Sequence, residues 1–331
     1  MRDVARAAGV SQPLVSIVFR NAPGASEETR AHVLAVAEQL GYRRDERARL
    51  LRQQRSRLLG ITFEPMQPFH GEIIEGIQLA AGEHGYNVTL SAVTAQRSEE
   101  AALDALLRDR CEAVLLLGSS LPEERLESVG KNLPVVSVTR ASAAGAFDSV
   151  AIDDYRGVAL AVEHLTGLGH RRIAYVHVDR EAGGARRLTG FRESMAAAGL
   201  ADQMLVVKGG ASEAGGATAV ESILARSPAP TAVIAFNDRC AIGVIGQARS
   251  LGHPVPEKLS VVGFDDSEQA SLPYIDLTSL AQDPRQLARA AVGLALRRLN
   301  AGQAEISRAG EHVVLPTHLV ARSSTAPLPA P

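Results

Sequence analysis

The sequence predicts an α/β fold: a small helix-turn-helix unit at the N-terminus, then a long body of parallel sheets covered by helices on both faces. Three observations predict it. Charge is split unevenly along the chain, apolar residues recur at helical spacing in three short segments between Asp3 and Gly41, and from Leu58 onward apolar runs alternate with amphipathic segments. At 331 residues, with 46% hydrophobic and 22% charged side chains, the chain can hold about two domains and a sizeable core. That composition excludes disordered and fibrous classes.

Residues 1–57 contain eleven arginines, no lysine and six acids, a net +5 that leaves −7 for the remainder. A basic end on an acidic body is expected where one small unit meets a polyanion and the rest does something else. On charge alone, a solvated arginine-rich face is the ordinary alternative. The pattern DVARAAGVSQPLVSIVFRN adds to this: it reads as a helix from Asp3 to Ala8, a turn at Gly9 and a second helix with Ser11 as N-cap. Val4 and Ala8 can pack on Val15, Val18 and Phe19 across the turn. The opposite stripe of the second helix carries Gln12, Pro13, Ser16, Ile17 and Arg20, free to meet a partner. A third helix follows, capped by Ser26, with Val33, Val36, Ala37 and Leu40 on one face and Gly41 at its stop. Residues 1–42 thus predict a helix-turn-helix domain whose second helix suits the major groove of duplex DNA; a plain helical hairpin is less expected beside this much arginine.

In the body, LLGITF, NVTLSAV, AVLLLG, LPVVSV, RRIAYVHV, TAVIAF and LSVVGF read as strands, and Ile73, Ile77, Ala80 and Ala81 form one face of the first intervening helix. The length suits two parallel sheets. In such sheets ligands collect at the carboxyl ends of strands.

Features that invite other chemistry have plainer readings. His164 and His170 flank a helix end, and Val158, Ala161, Val162, Leu165 and Gly169 explain that helix without a metal. GGASEAGG fits no nucleotide fingerprint, and no P-loop, HExxH or GxSxG pattern occurs. Asp153 and Asp154 could suggest glycoside chemistry, but neighbouring carboxylates on one segment point apart more often than they converge. Catalytic residues, metal sites and cofactors are therefore not expected. Cys111 and Cys240 lie far apart with no ligand spacing, and no signal-like apolar segment opens the chain, which fits a reducing cytoplasm. No stretch approaches the roughly 18 apolar residues of a membrane span.

DVARAAGVS, SEETRAHVLAVAEQLGY, HLTGLGHRRIAYV, RLTGF, FNDRCAIG, VVGFDD and LPTHLVARSST occur in an order and spacing that resemble the bacterial lactose repressor (LacI/GalR) family of transcription regulators, over nearly the whole chain. The resemblance implies a two-lobed, periplasmic-binding-protein-like core over residues 58–325. Its N-lobe would be about 58–152 and 284–312 and its C-lobe about 153–283 and 313–325, with crossings near Asp153, Asp283 and Pro316 and a tail at 326–331. It implies a hinge at 43–57 that becomes a short helix on DNA, with Ala48 and Leu51 in the minor groove, where a leucine can wedge between base steps. For DNA it implies Ser11, Gln12, Pro13, Ser16, Ile17 and Arg20. This chain departs from the family at Leu14, where Thr is usual, at Ile17, and at Pro13, which offers no side-chain donor. Base reading then rests on Gln12, on Ile17 against thymine methyls, and on Arg20.

For a small-molecule effector the resemblance implies Phe69, His70, Thr139, Arg187, Asn237 and Asp265. Arg, Asn and Asp fit hydroxyl-rich or carboxylate-bearing molecules and Phe69 supplies a platform. Each has an alternative: Arg187 could pair with an acid on its own helix, Asn237 could cap one, and Asp265 could form a turn with Asp266. Ala211 stands where many members place an aromatic, and Thr139 where Asp is common. A sugar leads, with nucleobase, polyol and small acid behind. The expected function is a repressor whose affinity for a near-palindromic operator is set by that effector. SSTAPLPAP lacks leucine heptads, so a homodimer is expected rather than a tetramer. The rival readings are a two-lobed solute-binding protein without catalytic activity and an enzyme acting on the bound sugar.

Overall fold

Three helices, α1 (Arg2–Ala7), α2 (Gln12–Phe19) and α3 (Glu27–Gln39), build the first of two units, residues 1–56; the second is residues 57–331. The computed structural model describes residues 1–19, 22–42, 55–142, 145–179, 181–301 and 309–328. Each of the later helices in the first unit starts at a serine: Ser11 Oγ accepts from the Leu14 amide at 3.3 Å and Ser26 Oγ from the Thr29 amide at 3.2 Å. Val4, Ala5, Ala8, Val15, Val18, Val33 and Ala37 form the core, with Phe19 and Val36 packed against it. Leu40 departs from the expected stripe: it is 51% exposed, because α3 has ended and the chain turns at Gly41, where φ is 59°. The first helix also runs one residue earlier than expected at each end.

In the second unit, one lobe contains β1 (Leu58–Phe63), β2 (Asn87–Ala92), β3 (Ala113–Leu117), β4 (Val135–Val138), β5 (Asp148–Ile152) and β11 (His312–Leu315) in the order β11-β5-β4-β3-β1-β2. All its pairings are parallel. Its helices are α4 (Pro68–Glu83), α5 (Glu99–Arg108), α6 (Glu123–Gly130) and α11 (Pro284–Ala301). The other lobe contains β6 (Ile173–His177), β7 (Met204–Lys208), β8 (Ala232–Ile234), β9 (Ser260–Asp265), β10 (Thr278–Ala281) and β12 (His318–Val320), ordered β12-β10-β9-β8-β6-β7, with α7 (Asp154–Gly167), α8 (Gly184–Ala197), α9 (Glu213–Leu224) and α10 (Asp238–Ser250). Only the β10–β12 pairing among these is antiparallel. Inner strands such as β3 and β4 are buried throughout, as sheets covered on both faces require.

The chain passes between lobes at Asp153, at Asp283 and at Pro316. Two expected boundaries need correction. His312–Leu315 pairs in register with Ser149–Ile152, so the first lobe's closing segment runs to Leu315 rather than 312. The Ala326 amide donates to Ser260 Oγ (3.1 Å) and the Leu328 amide to the Leu168 carbonyl (2.9 Å), so residues 326–328 are part of the second lobe and not a free tail.

GGASEAGG has a packing explanation. A Cβ at Gly216 would overlap the Cys240 carbonyl and one at Gly243 the Glu213 carbonyl, so α9 and α10 approach backbone to backbone. His170 bonds Thr231 Oγ1 (2.9 Å) and Ser260 Oγ (3.0 Å), and His164 bonds Thr325 Oγ1 (2.9 Å); burial pushes both imidazoles down, toward the neutral form. They tie strands and the C-terminal segment together. Cys111 and Cys240 are buried thiols pushed up by burial to about 11 and about 12, which makes them poor nucleophiles. Among the described residues, no helix is long and apolar enough to cross a membrane.

Candidate functional site

The exposed start of α2 presents Ser11, Gln12 and Pro13, with Pro13 in the first turn, where its missing N–H has no intrahelical partner to lose. Ser16 and Ile17 are half-buried, and Ile17 lies beside Gly24. Arg20, Ala48 and Leu51 lie outside the described residues. Arg30 is not on this face: it donates to the Val18 carbonyl at 3.3 Å and the Ala22 carbonyl at 3.1 Å, clasping the end of α2 to α3.

A cavity of about 520 Å³, its open mouth included, lies between the two lobes of the second unit. The first lobe contributes Glu64, Gln67, Phe69, His70, Gly118 and Thr139; the second contributes Glu181, Ala182, Arg187, Phe236, Asn237, Asp265 and Gln282. All six residues expected to meet an effector are in this wall.

On the first-lobe side, Phe69 and His70 sit in the opening turn of α4. His70 Nδ1 accepts from the Glu64 amide at 3.1 Å, which puts the proton of the neutral ring on Nε2. Burial pushes His70 down to about 4, so at neutral pH it is an uncharged donor.

The second-lobe side is wired through buried groups. Arg187 Nε donates to Asp154 Oδ1 and Nη1 to the Phe236 carbonyl, both at 2.7 Å, and its guanidinium lies 3.5 Å from the centroid of Phe264. Its acid partner is therefore on α7, not on its own helix. Asn237 does cap α10, accepting from the Cys240 amide at 2.9 Å, while its Nδ2 donates to the Ala211 carbonyl at 3.3 Å. Asp265 accepts from Gln282 Nε2 at 2.6 Å rather than turning onto Asp266. Behind it, Asp238 accepts from the Ser267 amide and hydroxyl, both at 2.8 Å, and from Ser279 Oγ at 2.5 Å; burial still pushes it up to about 6. Asp265 is raised too, by burial first and then by Asp238. Asp153 caps α7 through the Arg156 amide at 3.1 Å while Asp154 turns inward to Arg187, so the two neighbouring carboxylates do point apart.

Two non-glycine residues of the wall hold left-handed backbone, Thr139 at φ 71° and Asp265 at φ 121°. Such conformations cost roughly 1–3 kcal/mol and cluster where geometry serves a ligand. Glu64, Gln67, Gly118, Glu181, Phe236 and Gln282 were not expected from sequence. Glu64, Gly118 and Gln282 directly follow β1, β3 and β10, so the strand-end rule alone would have found them.

A helix-turn-helix unit whose second helix starts exposed, with a two-lobed core that gathers polar side chains around a cavity, is the arrangement of a ligand-binding regulator of the DNA-binding class. The family model for bacterial regulatory proteins, lacI family, matches residues 1–45, and that for the periplasmic binding protein-like domain matches residues 162–325. Over 336 residues the chain is 31% identical to the HTH-type transcriptional regulator DegA of Bacillus subtilis, covering 98% of each protein. Among solved structures, a LacI transcriptional regulator from a Rhodococcus species superposes with a TM-score of 0.78 at 43% identity, covering 82% of this chain and 99% of that one. A lac repressor dimer bound to operator and the anti-inducer ONPF gives 0.83 at 28% identity, covering 98% of both. A LacI family regulator from Enterococcus faecium with bound ribose gives 0.72 at 25%, covering 82% of this chain and all of that one. The chain belongs to the lacI family of bacterial regulatory proteins. It is a helix-turn-helix transcription regulator with a ligand-binding core.

Proposed function

We propose that the protein is a cytoplasmic, non-catalytic repressor that binds a near-palindromic operator as a homodimer and releases or tightens on it when a sugar or related polyhydroxyl metabolite occupies the cavity. The observation that carries this is the cavity wall, where Phe69, His70 and Thr139 face Arg187, Asn237 and Asp265 from the opposite lobe. A ligand touching both lobes favours one arrangement of them over the other, and only such differential contact can couple binding to a distant event. Gln12, Ile17 and Arg20 read base edges, with Ser11, Pro13 and Ser16 beside them at the groove. Ala48 and Leu51 of the hinge segment 43–57 enter the minor groove; the cost of unstacking, a few kcal/mol, is offset by phosphate contacts from its arginines. The related structures with operator, ONPF and ribose support the same two ligand classes for this chain.

The test is retention of promoter fragments by the full chain across a salt series, with and without metabolite extract. Retention that falls steeply with salt and changes with extract is expected; salt-insensitive or absent retention under both conditions would overturn the reading.

A further inference from the structure

Resting on the effector reading above, we infer that the effector carries a protonated amine, as an amino sugar does, held between Glu64 of one lobe and Glu181 of the other. Both carboxylates are in the cavity wall, and among the described residues neither has an ion-pair or hydrogen-bond partner for its side chain. Among the described residues, the arginines that act on them are paired elsewhere. Arg187 pairs with Asp154 and the Phe236 carbonyl, and Arg239 is held by both Glu213 oxygens at 3.0 and 2.5 Å. His70 is neutral. A second, independent feature points the same way. Gln282, only 5% exposed and part of the wall, gives its Nε2 to Asp265, which leaves its buried Oε1 an acceptor without a donor.

The wall therefore has acceptors to spare and two carboxylates that, among the described residues, have no paired cation. An ammonium supplies three donors and the missing charge. A phosphate or carboxylate would instead meet like charge in a half-buried site, which costs several-fold in affinity for each contact. Burial raises both glutamates, and Glu64 adds to the push on Glu181 against smaller pulls from Arg239 on Glu64 and Arg187 on Glu181, so a cation held between them relieves a repulsion. Because the two carboxylates belong to different lobes, the same cation draws the lobes together, which makes it a trigger as well as a specificity determinant.

The test uses the full chain and metabolite extract from cells that carry it, split at pH 7 into cation-exchanger-retained, anion-exchanger-retained and unretained fractions. Melting temperature and operator affinity are read for each. The activity is expected in the cation-exchanger fraction and is lost when that fraction's amines are acetylated in water. The double variant Glu64→Gln, Glu181→Gln should need about tenfold more of it, while its ligand-free melting temperature stays level or rises as the repulsion goes. Activity in the unretained or anionic fraction, or an unchanged dose response in the double variant, would overturn the inference. If no fraction acts on the wild type, the effector reading itself fails and this inference falls with it.

Discussion

The two lobes share a strand order and differ in how they hold the cavity wall. In the second lobe nearly every polar wall residue is fixed from behind: Arg187 by Asp154 and the Phe236 carbonyl, Asn237 by Cys240 and Ala211, Asp265 by Gln282. In the first lobe one such bond, the Glu64 amide to His70, orients a wall side chain, and Glu64, Gln67 and Thr139 have no side-chain partner among the described residues. A wall locked in advance gives fixed recognition because little ordering is left to be done on binding. A wall with loose side chains can change its contacts with occupancy. On the proposed function, recognition resides mainly in the second lobe and response in the first.

The strongest way to break this comparison is Arg187→Ala. It strands the buried Asp154 carboxylate, so urea unfolding should show a loss of about 3–5 kcal/mol. Gln67→Ala, on the loose wall, should stay within about 0.5 kcal/mol. Equal losses would erase the distinction.

Among the described wall residues of the first lobe, His70 is the one whose polar side chain is held by a hydrogen bond, and it sharpens the comparison through pH. Its folded value, about 4, lies below the ordinary 6.5. The contribution is therefore fully present above pH 6.5 and is lost as pH falls toward 4, about 3 kcal/mol in all. Asp238, raised to about 6, works in the opposite sense, losing stability as pH rises from 4 to 6. The difference between wild type and His70→Asn isolates the histidine: denaturant titrations from pH 4 to 7 should show the wild type losing more stability toward acid. Parallel curves would contradict the assignment.

Gly216→Ala tests whether the second lobe's rigidity reaches behind the wall. Forcing α9 off α10 should cost roughly 1–3 kcal/mol in thermal unfolding, and an unchanged melting temperature would mean the helices have room. The smallest effect is expected in the other unit. Gln12→Ala should weaken operator binding about tenfold by removing one base contact, with core stability unchanged; binding of every operator variant at wild-type strength would refute the base-reading role.

Much of this was legible in sequence where the signal was local. Ser11 and Ser26 announce their helices, and the apolar runs from LLGITF to LSVVGF mark strands buried on both faces. The six effector positions follow strand ends or open helices. What sequence could not show is decided across distance. Arg187 and Asp154 are 33 residues apart and meet only because α7 and α8 pack. Glu64 directly follows β1 and Glu181 lies in the loop between β6 and α8 of the other lobe, so nothing near either one signals the other. The boundary at 312 missed because HVVL and HLV are both short, partly exposed edge strands; which sheet each joins is settled by the partner it finds. GGASEAGG fits no nucleotide fingerprint, and its last glycine, Gly216, serves a helix contact whose partner glycine, Gly243, is on another helix.

The central claim is that cavity and operator are coupled. It is tested most directly by measuring the affinity of the full chain for its stabilising metabolite with and without operator, and for operator with and without metabolite. The account predicts a change of about 5- to 150-fold, the same factor in both directions. Identical metabolite affinities in the two conditions would contradict it.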